Sequence, residues 1–226
     1  MAQEASSTGV PVHVVVTVEP RHGSNVPVIN REDVMVYQGR DRAKVTDWIP
    51  LQGERAGLQL FILIDDAAST SFGSQLEDIR QFINAQPSTT AIGVAYMRNG
   101  TAEILQNPTN DRTQAPKALR LPLGDPGASA SLYFCVVDLI KRWPEGPVRR
   151  EILMVSDGID RFGGGGPSNP YVDAAFEEAQ RARVIIYSIY TPGVGHYGHS
   201  FWRMNWGQNY LSQISDDCHA YFAGLP

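Results

Sequence analysis

The sequence has few cysteines, no excess of basic residues and no long apolar run, and each absence excludes a class of protein. Its 226 residues include two cysteines, too few for a disulfide-stapled scaffold. A formal net charge of −5 excludes the basic footprint of a nucleic-acid-binding protein. The apolar run from Leu60 to Ile64 is far shorter than the roughly 20 residues that span a bilayer.

The composition and the N-terminus narrow the class further. An apolar content of 42% with 19% charged residues supports a sizeable core and excludes a disordered chain. Residues 1–10 are polar and lack the basic and apolar regions of a signal peptide. Cys135 and Cys218 lack the C-x-x-C spacing of a metal site. One bridge between them is arithmetically possible, but Cys135 lies among apolar residues, so we expect two buried thiols.

The hydrophobic pattern predicts a flexible tail, a small β appendage and one α/β domain. We expect the tail over residues 1–10, the appendage over residues 11–54 and the domain over residues 55–226. So few short strands bury too little surface for the appendage to fold alone. The strands predicted for the appendage are 13–18, 33–37 and 43–49.

The α/β domain alternates buried strands with amphipathic helices. The strands are predicted at 58–64, 90–97, 101–105, 151–155, 184–190 and 220–222. The helices are predicted around 76–83, 131–143, 172–183 and 206–214, with a short helix in 110–121. This alternation is typical of a doubly wound, mostly parallel sheet with helices on both faces. The Asn99-Gly100 pair predicts a tight hairpin that adds one antiparallel edge strand.

Two strand-and-loop segments, Phe61-Ile62-Leu63-Ile64-Asp65-Asp66-Ala67-Ala68-Ser69 and Ile152-Leu153-Met154-Val155-Ser156-Asp157-Gly158, resemble a known family. They are similar to the first and fourth strands of von Willebrand factor A (VWA) domains and the acidic loops that follow. The resemblance covers about residues 55–222 and implies a Rossmann-like VWA fold. Residues 12–18 and 29–39 resemble the leader of bacterial "VWFA-related" proteins, which are typically exported. The resemblance therefore implies a bacterial protein located outside the cytoplasm.

The resemblance also implies a divalent-cation site. Family members hold the ion through Asp-x-Ser-x-Ser, a Thr from a second loop and an Asp from a third. Asp65, Ser69 and Asp157 match three of these positions. Ala67 stands where the middle hydroxyl is expected, which weakens a site for Mg²⁺, Mn²⁺ or Ca²⁺, because these ions need oxygen ligands.

The second-loop ligand has no clean equivalent. If Leu132-Tyr133 is the anchor, the position falls on Ala130, and a one-residue shift gives Ser129 or Ser131; we take Ser129 as the candidate. A structural alternative explains the same residues without a metal. In that alternative the aspartates and serines cap helix N-termini and loops through backbone N–H groups.

We expect a non-catalytic protein-binding or adhesion module. With an ion bound, the metal would accept an acidic side chain of the partner. With a dead metal site, binding would run through the aromatic segment around Trp202, since tryptophan is enriched at binding hot spots. A metal-dependent hydrolase acting through Asp65, Asp66 and Asp157 is disfavoured, because adjacent strand residues point to opposite faces. The candidate partner-binding residues are Asp66, Ser131, Gly163, Gly164 and Trp202.

Overall fold

The chain divides into two units, residues 1–51 and residues 52–226. The computed structural model describes residues 12, 16, 28–124, 131–143, 148–163, 166–192, 200–216 and 222–224. The predicted tail over 1–10 and the predicted strand over 13–18 lie outside these residues.

The first unit contains a short antiparallel hairpin. Strand β1 (Val36–Gln38) pairs with β2 (Asp41–Ala43), and Gly39 takes the positive φ of +63° that the turn between them requires. The hairpin was predicted, but the assignment of residues 43–49 to its second strand is wrong beyond Ala43. All six strand residues are exposed, so the pair has no buried face that would favour a longer ladder.

The second unit is built on a six-stranded sheet with the order β5-β4-β3-β6-β7-β8. Its strands are β3 (Leu58–Asp65), β4 (Thr90–Arg98), β5 (Thr101–Thr109), β6 (Arg149–Ser156), β7 (Val184–Tyr190) and β8 (Phe222–Gly224). All neighbours are parallel except β4 and β5, which form the antiparallel hairpin at Asn99-Gly100. The predicted fold class is therefore confirmed.

In the described part of the chain, four α-helices flank the sheet: α1 (Leu76–Ala85), α2 (Leu132–Arg142), α3 (Pro170–Ala182) and α4 (Phe201–Asp216). The helix predicted over 206–214 begins five residues earlier, at Phe201. The side chains of Phe201 and Trp202 in this additional turn are exposed. Within 110–121 the structure has only a 3-10 turn, Ala115–Ala118. The last strand is described at Phe222–Gly224, and residues 220 and 221 of the predicted strand 220–222 lie outside the described residues.

The central strand β3 separates two hydrophobic cores. Phe61 and Leu63 belong to the core formed with α2, α3 and α4. Ile62 and Ile64 belong to the core formed with α1 and with two 3-10 turns, Thr70–Gln75 and Ala115–Ala118. Because successive strand side chains alternate between faces, a continuous apolar run is what a strand covered on both sides requires.

The strand order reverses at β3, which has β4 on one side and β6 on the other. In open α/β sheets this topological switch point is where ligands bind, outside the carboxyl ends of the strands. Asp65 is the last residue of β3, and Asp157 directly follows β6. The fold therefore brings both predicted aspartates to the switch point. Among the described residues, none of the helices has the length and apolar content needed to cross a membrane.

The outer edge of β5 is capped by side chains of α2. The N–H of Ala102 donates to Asp138 Oδ2 at 2.9 Å, and its carbonyl accepts from Arg142 Nη2 at 2.8 Å. Asp138 and Arg142 also form an i,i+4 ion pair at 3.3 Å. This pair satisfies the N–H and the carbonyl of Ala102, which would otherwise be open at the start of the edge strand to pairing with another chain.

We expect the double substitution Asp138→Ala/Arg142→Ala to lower the free energy of unfolding by about 2 kcal/mol, because two buried peptide groups lose their partners. It should also increase aggregation on heating, which light scattering during a thermal ramp measures. Glu178→Ala/Arg181→Ala, which removes an exposed ion pair of α3, is the control. Equal scattering by both variants would contradict a protective role.

Candidate functional site: the carboxyl edge of the sheet

Asp65 joins the ends of β3 and β6. Its Oδ2 accepts a hydrogen bond from the Ser156 hydroxyl at 2.7 Å, and its Oδ1 accepts from the Ala67 N–H at 2.8 Å. The carboxyl group is almost fully buried. Burial raises its pKa, and the charge of Arg161 together with these two hydrogen bonds opposes that rise.

Asp157 lies beside Asp65 and is equally buried. Its Oδ1 accepts from the Ile159 N–H at 2.9 Å, and its Oδ2 pairs with Arg161 Nη2 at 2.7 Å. Burial, and next the negative charge of Asp65, raise the pKa of Asp157 to about 6, against the attraction of Arg161. Asp157 is therefore paired with Arg161, whose positive charge also acts on the carboxyl group of Asp65.

Asp66 is fully buried and forms an ion pair inside the domain. Its two carboxylate oxygens pair with the two terminal nitrogens of Arg120 at 2.6 and 2.8 Å. The guanidinium also contacts Glu103 at 3.2 Å and lies 3.9 Å from the ring centroid of Tyr96. Bidentate geometry of this kind gives the strongest side-chain ion pairs.

The predicted serines act as caps. Ser69 begins the 3-10 turn Thr70–Gln75, and its oxygen accepts from the N–H and the hydroxyl of Ser71 at 3.3 and 2.9 Å. Ser131 is fully buried and caps α2 by accepting from the Tyr133 N–H at 3.3 Å. Ser129 lies outside the described residues.

Asp160, which the sequence analysis did not single out, holds three elements of this edge together. Its Oδ2 accepts from the Ser131 hydroxyl at 3.0 Å and from Asn169 Nδ2 at 2.7 Å. Its Oδ1 accepts from the N–H groups of Phe162 and Gly163 at 2.9 and 3.0 Å. Ser131 and Asn169 cap α2 and α3. The Asp160 carboxylate therefore connects the N-termini of both helices with the loop that follows β6. A signal for it was available, since Asp followed by a glycine run is typical of a structured turn.

The remaining predicted partner-binding residues differ in accessibility. Gly163 is exposed, whereas Gly164 lies outside the described residues. Trp202 is 71% exposed and its neighbour Phe201 is 73% exposed. Their rings pack edge to face with centroids 5.8 Å apart.

The described residues fit a divalent cation poorly. Ala67 offers no lone pair, Ser69 is engaged with Ser71, and a guanidinium already occupies Asp157. A cavity of about 20 Å³ lined by Asp65, Ala67 and Arg161 has room for about one water molecule, whereas Mg²⁺ keeps several. In the part of the chain that the structure describes, no three His, Cys, Asp or Glu residues are grouped to hold a metal. The predicted metal site thus stays a prediction.

Comparison with known proteins supports the fold. No family model matches the sequence, and neither does any curated protein. An aerotolerance-related membrane protein from Bacteroides fragilis matches in structure with a TM-score of 0.52 and 14% identity, over 75% of this chain and 92% of that chain. The SpRpn10 VWA domain matches with a TM-score of 0.49 and 14% identity, over 74% and 87% of the two chains. The chain thus contains a VWA-like domain.

Replacing Arg120 tests the Asp66 pair. We expect Arg120→Met to lower the free energy of unfolding by about 3 kcal/mol, because it leaves a buried carboxylate without its partner. Urea denaturation followed by circular dichroism measures the change. Arg80→Met, which breaks an exposed ion pair with Glu77, should change it by less than about 1 kcal/mol. Similar losses in the two variants would show that the buried Arg120–Asp66 pair contributes no more to the free energy of unfolding than the exposed Arg80–Glu77 pair does.

The raised pKa of Asp157 predicts a pH dependence. The folded-state pKa of Asp157 is about 6, and the unfolded value is about 3.9. The contribution of this group to the free energy of unfolding is therefore fully present below about pH 4. That contribution is lost as the pH rises through about 6. Asp157→Asn removes the titration, so wild type should lose stability relative to this variant between pH 4 and pH 7. Urea melts at several pH values measure the difference, and a constant difference would contradict the prediction.

Proposed function

We propose that this chain is a non-catalytic protein-binding module whose partner docks on the carboxyl edge of the VWA-like sheet through exposed apolar side chains. The observation that carries the proposal is the exposure of Phe201 and Trp202, more than 70% each, in the first turn of α4. Large aromatic side chains that a domain leaves in water are the usual anchors of protein interfaces.

The topology supports placing these aromatics at the carboxyl edge. α4 follows β7 and begins at the same edge of the sheet where β7 ends. Further along the helix, Gly207 packs so closely against the backbone of Asp157 that a Cβ at residue 207 would lie 2.3 Å from the Asp157 carbonyl oxygen. Trp202 precedes Gly207 by five residues, so it lies about 7.5 Å from Gly207 along the helix axis, toward the N-terminus of α4.

Two other half-exposed apolar residues share this edge. Leu123 lies beside Asp66, to whose carboxylate its N–H donates at 3.3 Å. Phe162 lies in the loop after β6, next to Phe134 and Tyr171. The loops from both sides of the switch point thus present apolar side chains to solvent, which favours a partner with an apolar contact surface.

The chemistry of the edge favours binding over catalysis. The thiol of Cys135 lines the cavity beside Asp65, but burial raises its pKa to about 12, so it is not a nucleophile at neutral pH. The carboxylates of Asp65 and Asp157 are engaged by hydrogen bonds and by Arg161. An assay with generic ester and phosphate substrates should therefore give no turnover.

The proposal includes a location outside the cytoplasm. The resemblance of residues 12–18 and 29–39 to the leader of exported proteins supports it. The Bacteroides fragilis protein of similar fold is named a membrane protein, which agrees with a function at the cell envelope.

A binding experiment with matched variants tests the proposed surface. The immobilised full chain is exposed to an envelope extract in EDTA, and retained proteins are quantified and then purified for calorimetry. We expect Phe201→Ser/Trp202→Ser to weaken binding of the retained partner at least about 30-fold, since two interface anchors are lost. Phe82→Ser, at an exposed position of α1, should bind as wild type does.

Two outcomes would contradict the proposal. If the double variant and wild type retain the same protein with the same affinity, the aromatics are not the docking surface. If retention requires Mg²⁺ and disappears in EDTA, the metal-assisted alternative, in which an ion at Asp65 and Asp157 accepts an acidic partner residue, replaces it.

A further inference from the structure

The carboxylates at the switch point have a cation of their own. Asp65 and Asp157 are both at least 97% buried, and leaving two such groups without a positive charge would cost several kcal/mol. Arg161, four residues after Asp157, pairs with its Oδ2 at 2.7 Å. The same guanidinium donates to the Ile159 carbonyl at 3.3 Å, so both of its terminal nitrogens are used.

The guanidinium is enclosed with the carboxylates. The side chain of Arg161 is only 11% exposed, and it lines the same small cavity as Asp65 and Ala67. The charge of Arg161 acts on both aspartates, since it lowers the pKa of each against the effect of burial. An arginine at an ordinary surface ion pair, such as Arg181, is 69% exposed.

The residues around Arg161 complement a guanidinium better than a metal. The alanine at position 67 removes a hydroxyl from the cavity wall, and the remaining space of about 20 Å³ holds about one water. A divalent ion would need further oxygen ligands and room for its waters. The cavity thus lacks a hydroxyl at position 67 and is lined by the Arg161 guanidinium.

We propose that the Arg161 guanidinium is the fixed counter-ion of this edge and takes the place that a divalent cation has in the VWA domains this sequence resembles. The guanidinium then offsets one of the two buried negative charges, and the small cavity leaves no open position for an acidic partner residue. Replacing Arg161 while restoring a hydroxyl at position 67 converts it into a cation site. This inference holds whether or not Trp202 binds a partner.

The first test uses the wild-type chain. Its melting temperature should change by less than about 1 °C between EDTA and millimolar Mg²⁺ or Mn²⁺. An ion bound at a hundred times its dissociation constant would raise it by about 5–10 °C. A rise of that size in wild type, abolished by Asp65→Asn, would overturn the proposal.

The second test exchanges the guanidinium for a metal. Arg161→Ala should lower the melting temperature in EDTA by about 10 °C, because it leaves the buried Asp157 carboxylate without its partner. In Ala67→Ser/Arg161→Ala, millimolar Mn²⁺ should restore at least about 5 °C of that loss, and adding Asp157→Asn should remove the response. Mn²⁺ binding is read independently by electron paramagnetic resonance.

Two controls separate this effect from a general loss of structure. Arg161→Lys keeps the positive charge and should stay insensitive to metal, and Arg181→Ala should melt as wild type does. If Ala67→Ser/Arg161→Ala is unfolded in EDTA, recovery of the native circular dichroism in Mn²⁺ supports the proposal. A variant that binds no Mn²⁺, whether folded or not, counts against it.

Discussion

The arrangement of this edge depends on the cost of burying carboxylates where parallel strands end. Three aspartates, Asp65, Asp66 and Asp157, leave the central strands at the switch point and are almost completely buried. Buried charges persist only when they are paired and hydrogen-bonded. Two arginines contribute to meeting that requirement: Arg120, which is 54 residues from Asp66 in the sequence, and Arg161, which is four residues after Asp157.

The polar network makes the edge a preformed surface. Arg120 ties the segment before residue 124 to Asp66, and the N–H of Gly124 donates to the Asp66 carbonyl at 3.0 Å. Asp160 joins the starts of α2 and α3 to the loop after β6. A surface held in this way loses little conformational entropy when a partner binds, which favours affinity.

The sheet was predictable from the sequence because each buried strand is a continuous apolar run and the hairpin has an Asn-Gly turn. Asp65 and Asp157 were predictable because they end such runs. Arg161 was missed, since a search for metal ligands considers oxygen donors and not the cation that replaces the metal. Arg120 pairs across 54 residues with Asp66, and no local pattern reveals such a contact. The first turn of α4 was missed because its exposed aromatics do not follow helical periodicity.

The substitutions at this edge change what kind of partner the fold can recognise. A metal with an open coordination position attracts an acidic side chain, so its recognition is electrostatic and depends on the ion. Arg161 is a buried guanidinium whose two terminal nitrogens already donate to Asp157 and to the Ile159 carbonyl, so it offers no open coordination position to an acidic side chain. Under the proposed function, binding energy comes from apolar area, which the exposed side chains of Phe201 and Trp202 offer. An interface of this kind is less sensitive to chelators and salt, because hydrophobic burial does not depend on a bound ion.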